Sequence, residues 1–494
     1  MFLLIGQNVS AQNKAADNAL ANYEKSIAQG KIADIEKPLL AYAVAHPNDF
    51  KPLELLAQIR LQQGRLTEAR GLYQRVLVLN PNALDAKINL GQIYYALGQK
   101  EDAQQILNGI TADSIAAPKT RLELAASLIS IGETEKAAKI IETLPPNLKN
   151  GDALPLLAVI NLEAGNRQKL LNLIPLMKKS AANSSLAIQN AEILQSGGFF
   201  TEAAELLRAA LASAPKNPNL LARLGRLEVY ERNFTQARQH LNRAAAVSPD
   251  SAEILSAQAL LESSEGKLTT AFDLLSKARE IAPDSAAVLA DFVVVAMRSG
   301  KARAAVEAAK LLAGERPGDA EPQYLLGAAQ LQNNNIAGAQ QSLESFTRQR
   351  PLDSRGCLAL GLTLAAQLDK IEIARRQLNH CLEIDPANFE AKYQLGLSYK
   401  AQGDAAPAIR LLEEVVRQKP DYAPALRDLG ALYLQTNDEE KARVVLEKSV
   451  ALAPDDAETH FQLSRLYNLL GNSQLAKQHL EMFQKIKNGG KVSP

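Results

Sequence analysis

The chain has 494 residues, of which 47% are hydrophobic and 5% aromatic, and its 55 lysines and arginines nearly balance 54 aspartates and glutamates. Such neutrality argues against a general nucleic-acid or anionic-membrane binder, and no apolar run reaches the roughly 18 residues of a membrane span. One compact core of this length would be unusually large, so a composition of small aliphatic residues without tryptophan points to many small units stacked in one dimension.

At the N-terminus the chain reads MFLLIGQNVSAQNKAADN. Val9-Ser10-Ala11 has the small-residue ending of a secretory signal peptide, and Phe2 to Ile5 look like the tail of its apolar segment. No Lys or Arg precedes them, and the run is shorter than the roughly 7 to 15 residues such a segment uses. Residues 1–15 are read as a signal-peptide remnant or a frayed end. The expected location is periplasmic or secreted, with the cytoplasm as the alternative.

From residue 16 onward the punctuation is regular. Pro47 and Pro81 open a beat that continues at Pro215, Pro249, Pro283, Pro317 and Pro351, 34 residues apart, and after a slip of one residue at Pro386, Pro420 and Pro454. Ten residues after these prolines stands a small residue, among them Gly91, Gly225, Gly327, Gly361, Gly396 and Gly430, with Val293 the exception. Alanine follows twelve residues later, as at Ala103, Ala237, Ala339, Ala408 and Ala442. Paired small residues mark where two helices cross closely.

The remaining signals set the helix ends. Proline lacks an N–H and closes the second helix of a unit. Asp49, Asn217, Ser251, Ser285, Asp319, Asp353, Asn388 and Asp456, two residues on, can accept from the free N–H groups that open the next helix. Gly30, Gly64, Gly98, Gly132, Gly198, Gly266, Gly300, Gly403 and Gly471 fall mid-unit, where a left-handed residue turns the chain from first to second helix. Units therefore begin near Ala16, Phe50, Leu84, Pro118, Asp152, Ser184, Pro218, Ala252, Ala286, Ala320, Ser354, Phe389, Ala423 and Ala457, about fourteen in all.

One stretch breaks the beat. Pro145, Pro146, Pro155 and Pro175 fall off-phase, and Pro175 lies where a second helix should continue, at a cost of roughly 3 kcal/mol unless the helix bends or stops. Residues 152–183 are read as a degenerate repeat or a hinge. They separate an N-terminal block, 16–151, from a C-terminal block, 184–490, which ends in a tail, 491–494.

No catalytic pattern emerges. His46, His240, His380, His460 and His479 are scattered, the glycines are hairpin turns rather than a phosphate loop, and neither a metal site nor a cofactor is expected. Adjacent helix residues such as His380 and Cys381 point about 100° apart and make a poor nucleophile–base pair. Cys357 and Cys381 occupy facing positions of one hairpin. They read as two small buried hydrophobes, or as a disulfide if the chain is exported to an oxidising compartment.

The pattern resembles the tetratricopeptide repeat, whose 34-residue helix-turn-helix carries small residues at positions eight, twenty and often twenty-seven and proline at thirty-two. FEAKYQLGLSYKAQGDAAPAIRLLEEVVRQKPDY, Phe389 to Tyr422, is a clear example. The usual first-helix tryptophan is missing, and leucines such as Leu221, Leu255, Leu289 and Leu426 stand in its place. The resemblance covers nearly the whole chain and implies an all-α right-handed superhelical solenoid without enzymatic activity.

The resemblance also implies a binding wall. In such arrays first helices line a concave groove that holds peptides or partner proteins, facing it with the second, fifth, ninth and twelfth residues of each unit. Here the wall is expected to present Tyr324, Leu358, Leu362 and Tyr393 as apolar anchors, Phe461 beyond them, and Arg427 and Arg465 for an acidic group. The equally open alternative is that these residues pack neighbouring first helices together. The lysine and asparagine clamp of chaperone-binding relatives is absent, its positions being taken by Glu54, Gln58, Ile88 and Gln92. Multi-repeat bacterial envelope and export proteins are the nearer match. A cytosolic adaptor, or the regulatory subunit of an enzyme such as a glycosyltransferase, is the alternative.

Overall fold

The computed structural model describes residues 19–27, 29, 31–32, 34–316 and 318–489. The leader reading, Gly30, Pro317 and the 491–494 tail lie outside them. Among the described residues the chain is helical throughout, with no strand, and it divides into two compact units, residues 1–249 and 250–494. The off-phase stretch belongs to the first.

Each unit is a row of helix hairpins. In the second, the first helices are Ala252–Ser264, Ala286–Arg298, Ala320–Gln332, Ser354–Ala365, Phe389–Ala401, Ala423–Gln435 and Ala457–Leu469, starting at the residues the proline beat selects. Where glycine holds the crossing, it does so for want of space. A Cβ on Gly430 would lie 2.4 Å from Leu446 Cγ, and one on Gly327 or Gly225 would lie 2.6 or 2.7 Å from the matching Leu343 or Leu241. Those leucines are fully buried, so small residue and leucine interlock at the centre of each hairpin.

Caps follow expectation only in part. Asn217, Asp353, Asn388 and Asp456 accept from the first backbone N–H groups of their helices, and Asp49 accepts from Lys51 N at 3.0 Å. Ser251, Ser285 and Asp319 make no such bond. The hairpin turns use positive φ, as at Gly403 with 84°, and where glycine is missing Arg232, Asn334 and Asn437 take φ of 61°, 58° and 58°. Asparagine tolerates that region by local hydrogen bonding. Gly403→Ala, unobstructed sterically but strained in φ, is expected to cost about 1–2 kcal/mol. Gly403→Asn should cost less, an order that urea midpoints will check.

The hairpin after Asp353 turns differently. Its extra residue is absorbed by a 3₁₀ turn, Leu368–Lys370, ahead of the second helix Ile371–Ile384.

In the off-phase stretch the second helix, Arg167–Lys179, runs through Pro175 without stopping and buries Leu170, Ile174 and Met177. Pro155 sits in the first turn of Leu154–Glu163, where its missing N–H costs nothing. Upstream, the second helices Lys100–Asn108 and Thr134–Glu142 are short. Beside their ends lies an open pocket of about 260 Å³ lined by Leu107, Ile110, Leu128 and Ile140 together with Lys136, Lys139 and Thr143. It falls below the roughly 300–1,000 Å³ of clefts that enclose drug-sized ligands.

Candidate binding face

Within each unit, successive first helices lie against one another, and polar side chains tie several of them at an offset of 35 residues. Gln92 donates to Ser127 Oγ at 2.8 Å, Ser256 Oγ to Asp291, Arg298 to Ser263 Oγ at 2.6 Å, Gln332 to Met297 O at 2.8 Å, and Tyr393 Oη to Asp428 Oδ2 at 2.8 Å. With a 34-residue repeat, that offset means that at these bonds a first helix meets its neighbour one residue out of register. Side chains read as facing a groove can thereby turn into the next repeat.

Tyr393 is the clearest case, and it corrects the expectation that it projects from the wall. It is buried, 6% exposed, and its hydroxyl ends on the Asp428 carboxylate, which Lys400 Nζ also reaches at 2.6 Å and Arg427 Nη2 at 3.1 Å. Burial alone would raise the Asp428 pKa; Lys400, Arg427 and the tyrosine hydroxyl together outweigh it and hold the carboxyl below its ordinary value. The same burial, and then Asp428 itself, push the Tyr393 phenol up. Arg427 is spent in this cluster, its other nitrogen lying 3.6 Å from Asp456. It is not a free cation awaiting a partner's carboxylate.

The other predicted residues divide between packing and exposure. Tyr324 is half-buried, its ring 5.2 Å from that of Phe346 and under the Arg355 guanidinium at 4.8 Å, while Arg355 forks onto Glu321 with two bonds of 2.9 Å. Leu358 packs beside Cys357, Cys381 and Leu395. Phe461 is half-buried, 5.3 Å from Phe483. Arg465 is exposed, with Nη1 3.2 Å from Gln462 Oε1. Leu362 is half-buried and belongs to a lane.

That lane is formed by the ninth residues of successive first helices. Leu260, Val294, Ala328, Leu362, Leu397 and Ala431 are all at least partly accessible, Val294 to 37%. Glu321, Arg355, Glu390 and Glu458 are the second residues of their first helices, and Arg298, Gln332, Lys400 and Gln435 stand in the last turns. An aliphatic stripe between polar borders is suited to an amphipathic segment lying across the helices. Sequence reasoning missed Arg355 and Asp428, although opposite charges at one repeat position, Glu321 and Arg355, were a usable signal.

Two further groupings bear on chemistry. Cys357 and Cys381 are buried free thiols that share one acceptor, Ser354 O, at 3.2 and 3.1 Å. His460 and His479, not paired on sequence, meet with Nδ1 atoms 2.9 Å apart, and His460 Nε2 lies 3.0 Å from Pro454 O. Burial, then His460, pushes His479 below its ordinary pKa. His380, beside Cys381, is held instead at 3.1 Å from Glu383. Among the described residues no group of three or more His, Cys, Asp or Glu is placed to hold a metal ion, and no helix is long and apolar enough to cross a membrane.

Stacked antiparallel helix pairs whose first helices lie side by side within each unit define an α-helical solenoid of the protein-binding kind. The tetratricopeptide-repeat model matches residues 60–114, 198–261 and 399–460, and the chain carries tetratricopeptide repeats in these three regions. Peroxisome biogenesis protein 5 of Arabidopsis thaliana is 32% identical over 138 residues, 27% of this chain and 18% of that one. ER membrane protein complex subunit 2 of Xenopus tropicalis is 27% identical over 169 residues, 34% of this chain and 56% of that one. Cellulose synthase 2 operon protein C of Komagataeibacter xylinus is 47% identical over 55 residues, 11% of this chain and 4% of that one. The chain thus spans at most 56% of these relatives' lengths. Among solved structures, a chain of the APC/C hetero-tetramer Cut9-Hcn1 superposes with a TM-score of 0.51 at 14% identity, over 90% of this chain and 95% of that one. That likeness is one of fold.

Proposed function

We propose that the protein is a non-catalytic scaffold that seats an apolar segment of a partner protein on the first-helix face of residues 250–494, within a bacterial envelope complex. The observation that carries the binding role is the aliphatic lane through Val294, Ala328, Leu362 and Leu397 between polar borders. An acidic group near the chain's C-terminal end would meet Arg465, the exposed arginine of the set. The envelope setting is supported by the leader-like Val9-Ser10-Ala11 and by the short match to a bacterial cellulose synthase operon protein.

The test of binding is affinity capture with the partner identified by mass spectrometry and then titrated. Val294→Glu combined with Leu362→Ala should weaken that partner at least about tenfold, or roughly 1.4 kcal/mol, with helical content unchanged. The control is Arg303→Ala with Glu307→Ala, an exposed pair on the second helix Ala302–Glu315. If the control pair abolishes capture and the lane pair does not, the partner reads the second-helix face. Fusion of alkaline phosphatase to the C-terminus tests export, since the reporter matures only outside the cytosol; an inactive fusion removes the envelope assignment.

A further inference from the structure

The two cysteines are the only ones in the chain, lie 24 residues apart, and come from opposite helices of one hairpin, Ser354–Ala365 and Ile371–Ile384. Both are buried, 2% and 0% exposed, and both thiols donate to the same oxygen, Ser354 O. Two sulfurs at 3.2 and 3.1 Å from one oxygen lie no more than 6.3 Å apart. This hairpin is also the irregular one. Elsewhere in residues 250–494 the hairpins turn through a positive-φ residue, Gly266, Gly300, Asn334, Gly403, Asn437 or Gly471, whereas here the turn is the 3₁₀ segment Leu368–Lys370.

We propose that Cys357 and Cys381 form a redox-active dithiol that closes to an intramolecular disulfide by exchange with a small-molecule or protein disulfide, pinning the two helices of this hairpin together. The Cys357 thiolate attacks one sulfur of the donor disulfide and expels the other half as a thiolate. Cys381 then loses its proton to that leaving thiolate, attacks Cys357 Sγ in the mixed disulfide, and expels the second half. The protein dithiol gives up two electrons and two protons, and the donor leaves as two thiols.

The order of attack follows from the surroundings. A Cys357 thiolate would take the Cys381 hydrogen from Ser354 O, and this, with His380 more weakly, holds the Cys357 thiol below its ordinary value against the effect of burial. Donation to Cys357 and burial push Cys381 up, which suits the second, resolving position. Since neither sulfur is open to solvent, the first step requires local opening of the hairpin. Oxidation is therefore slow in the folded protein and fast during folding, and the closed bond is sheltered from reductant.

The experiment refolds the full chain from denaturant in a glutathione redox buffer until equilibrium, which removes the access barrier. Acid-quenched peptide mapping should then find one Cys357–Cys381 cross-link with the loss of two hydrogens. The oxidised protein should melt at least about 5 °C above the reduced form, and unfolding and refolding it in reductant should restore the lower melt. Cys357→Ser and Cys381→Ser should each abolish the shift. Recovery of both thiols in alkylatable form, of a cross-link between two chains, or of an oxidised form that melts lower than the reduced one would each overturn the proposal. Binding to the ninth-position lane is independent of this result.

Discussion

Asp428→Ala is expected to lower the stability of the 250–494 unit by about 3 kcal/mol, at the lower end of what removal of one partner from a buried ion pair costs. The carboxylate is 5% exposed and receives Tyr393, Lys400 and Arg427. Its loss strands a buried phenol and leaves two cations facing each other. The lower end applies because the Lys400 and Arg427 side chains are 33% and 26% exposed and can turn toward water.

The pH dependence has a definite sign. The folded-state pKa of Asp428 is depressed, so its contribution is fully present above the ordinary carboxylate value of about 3.9 and is lost as pH falls through the folded value. Denaturant midpoints of parent and variant should thus differ most near neutrality and converge between about pH 4 and pH 2. A gap that stays constant over that range would falsify the view that the ionised carboxylate holds these repeats together.

Gly430→Leu should be nearly as damaging, at about 3 kcal/mol, the upper end of ordinary overpacking costs. Even the Cβ of the new side chain would meet Leu446 Cγ at 2.4 Å, Leu446 Cδ2 at 2.5 Å and Val445 Cγ2 at 3.2 Å. Leu446 is fully buried and has nowhere to swing. Gly396, the same position one repeat earlier, has more room, with its nearest neighbour, Leu412 Cδ2, at 3.2 Å. Alanine should be better tolerated at 396 than at 430, and Leu446→Ala should partly rescue Gly430→Ala in a double-mutant cycle. Additive effects of the two changes would show that the crossing is not where the glycine acts.

How much of the candidate face was legible depended on which side chains answer to a single helix. Leu362 was readable as a partly accessible residue, because a ninth position points away from its own hairpin whatever the neighbouring repeat does. Tyr393 and Arg427 were not, because their surroundings belong half to the next repeat. Ser256 and Asp291 are tied by the same one-residue offset, which a 34-residue period does not disclose.

The sequence by itself determined the repeat, its phase and its helix boundaries. Proline without an N–H, asparagine and aspartate that cap, residues that accept positive φ, and small residues at the crossing all act within a few residues or within one hairpin. Only the tertiary structure decided which polar side chains meet across repeats. It set the one-residue offset that brings Asp428 to Tyr393, seated two thiols on one carbonyl, and joined His460 to His479. Those meetings depend on how successive helices shift against each other, and that shift is a sum of many packing contacts that no single residue type encodes.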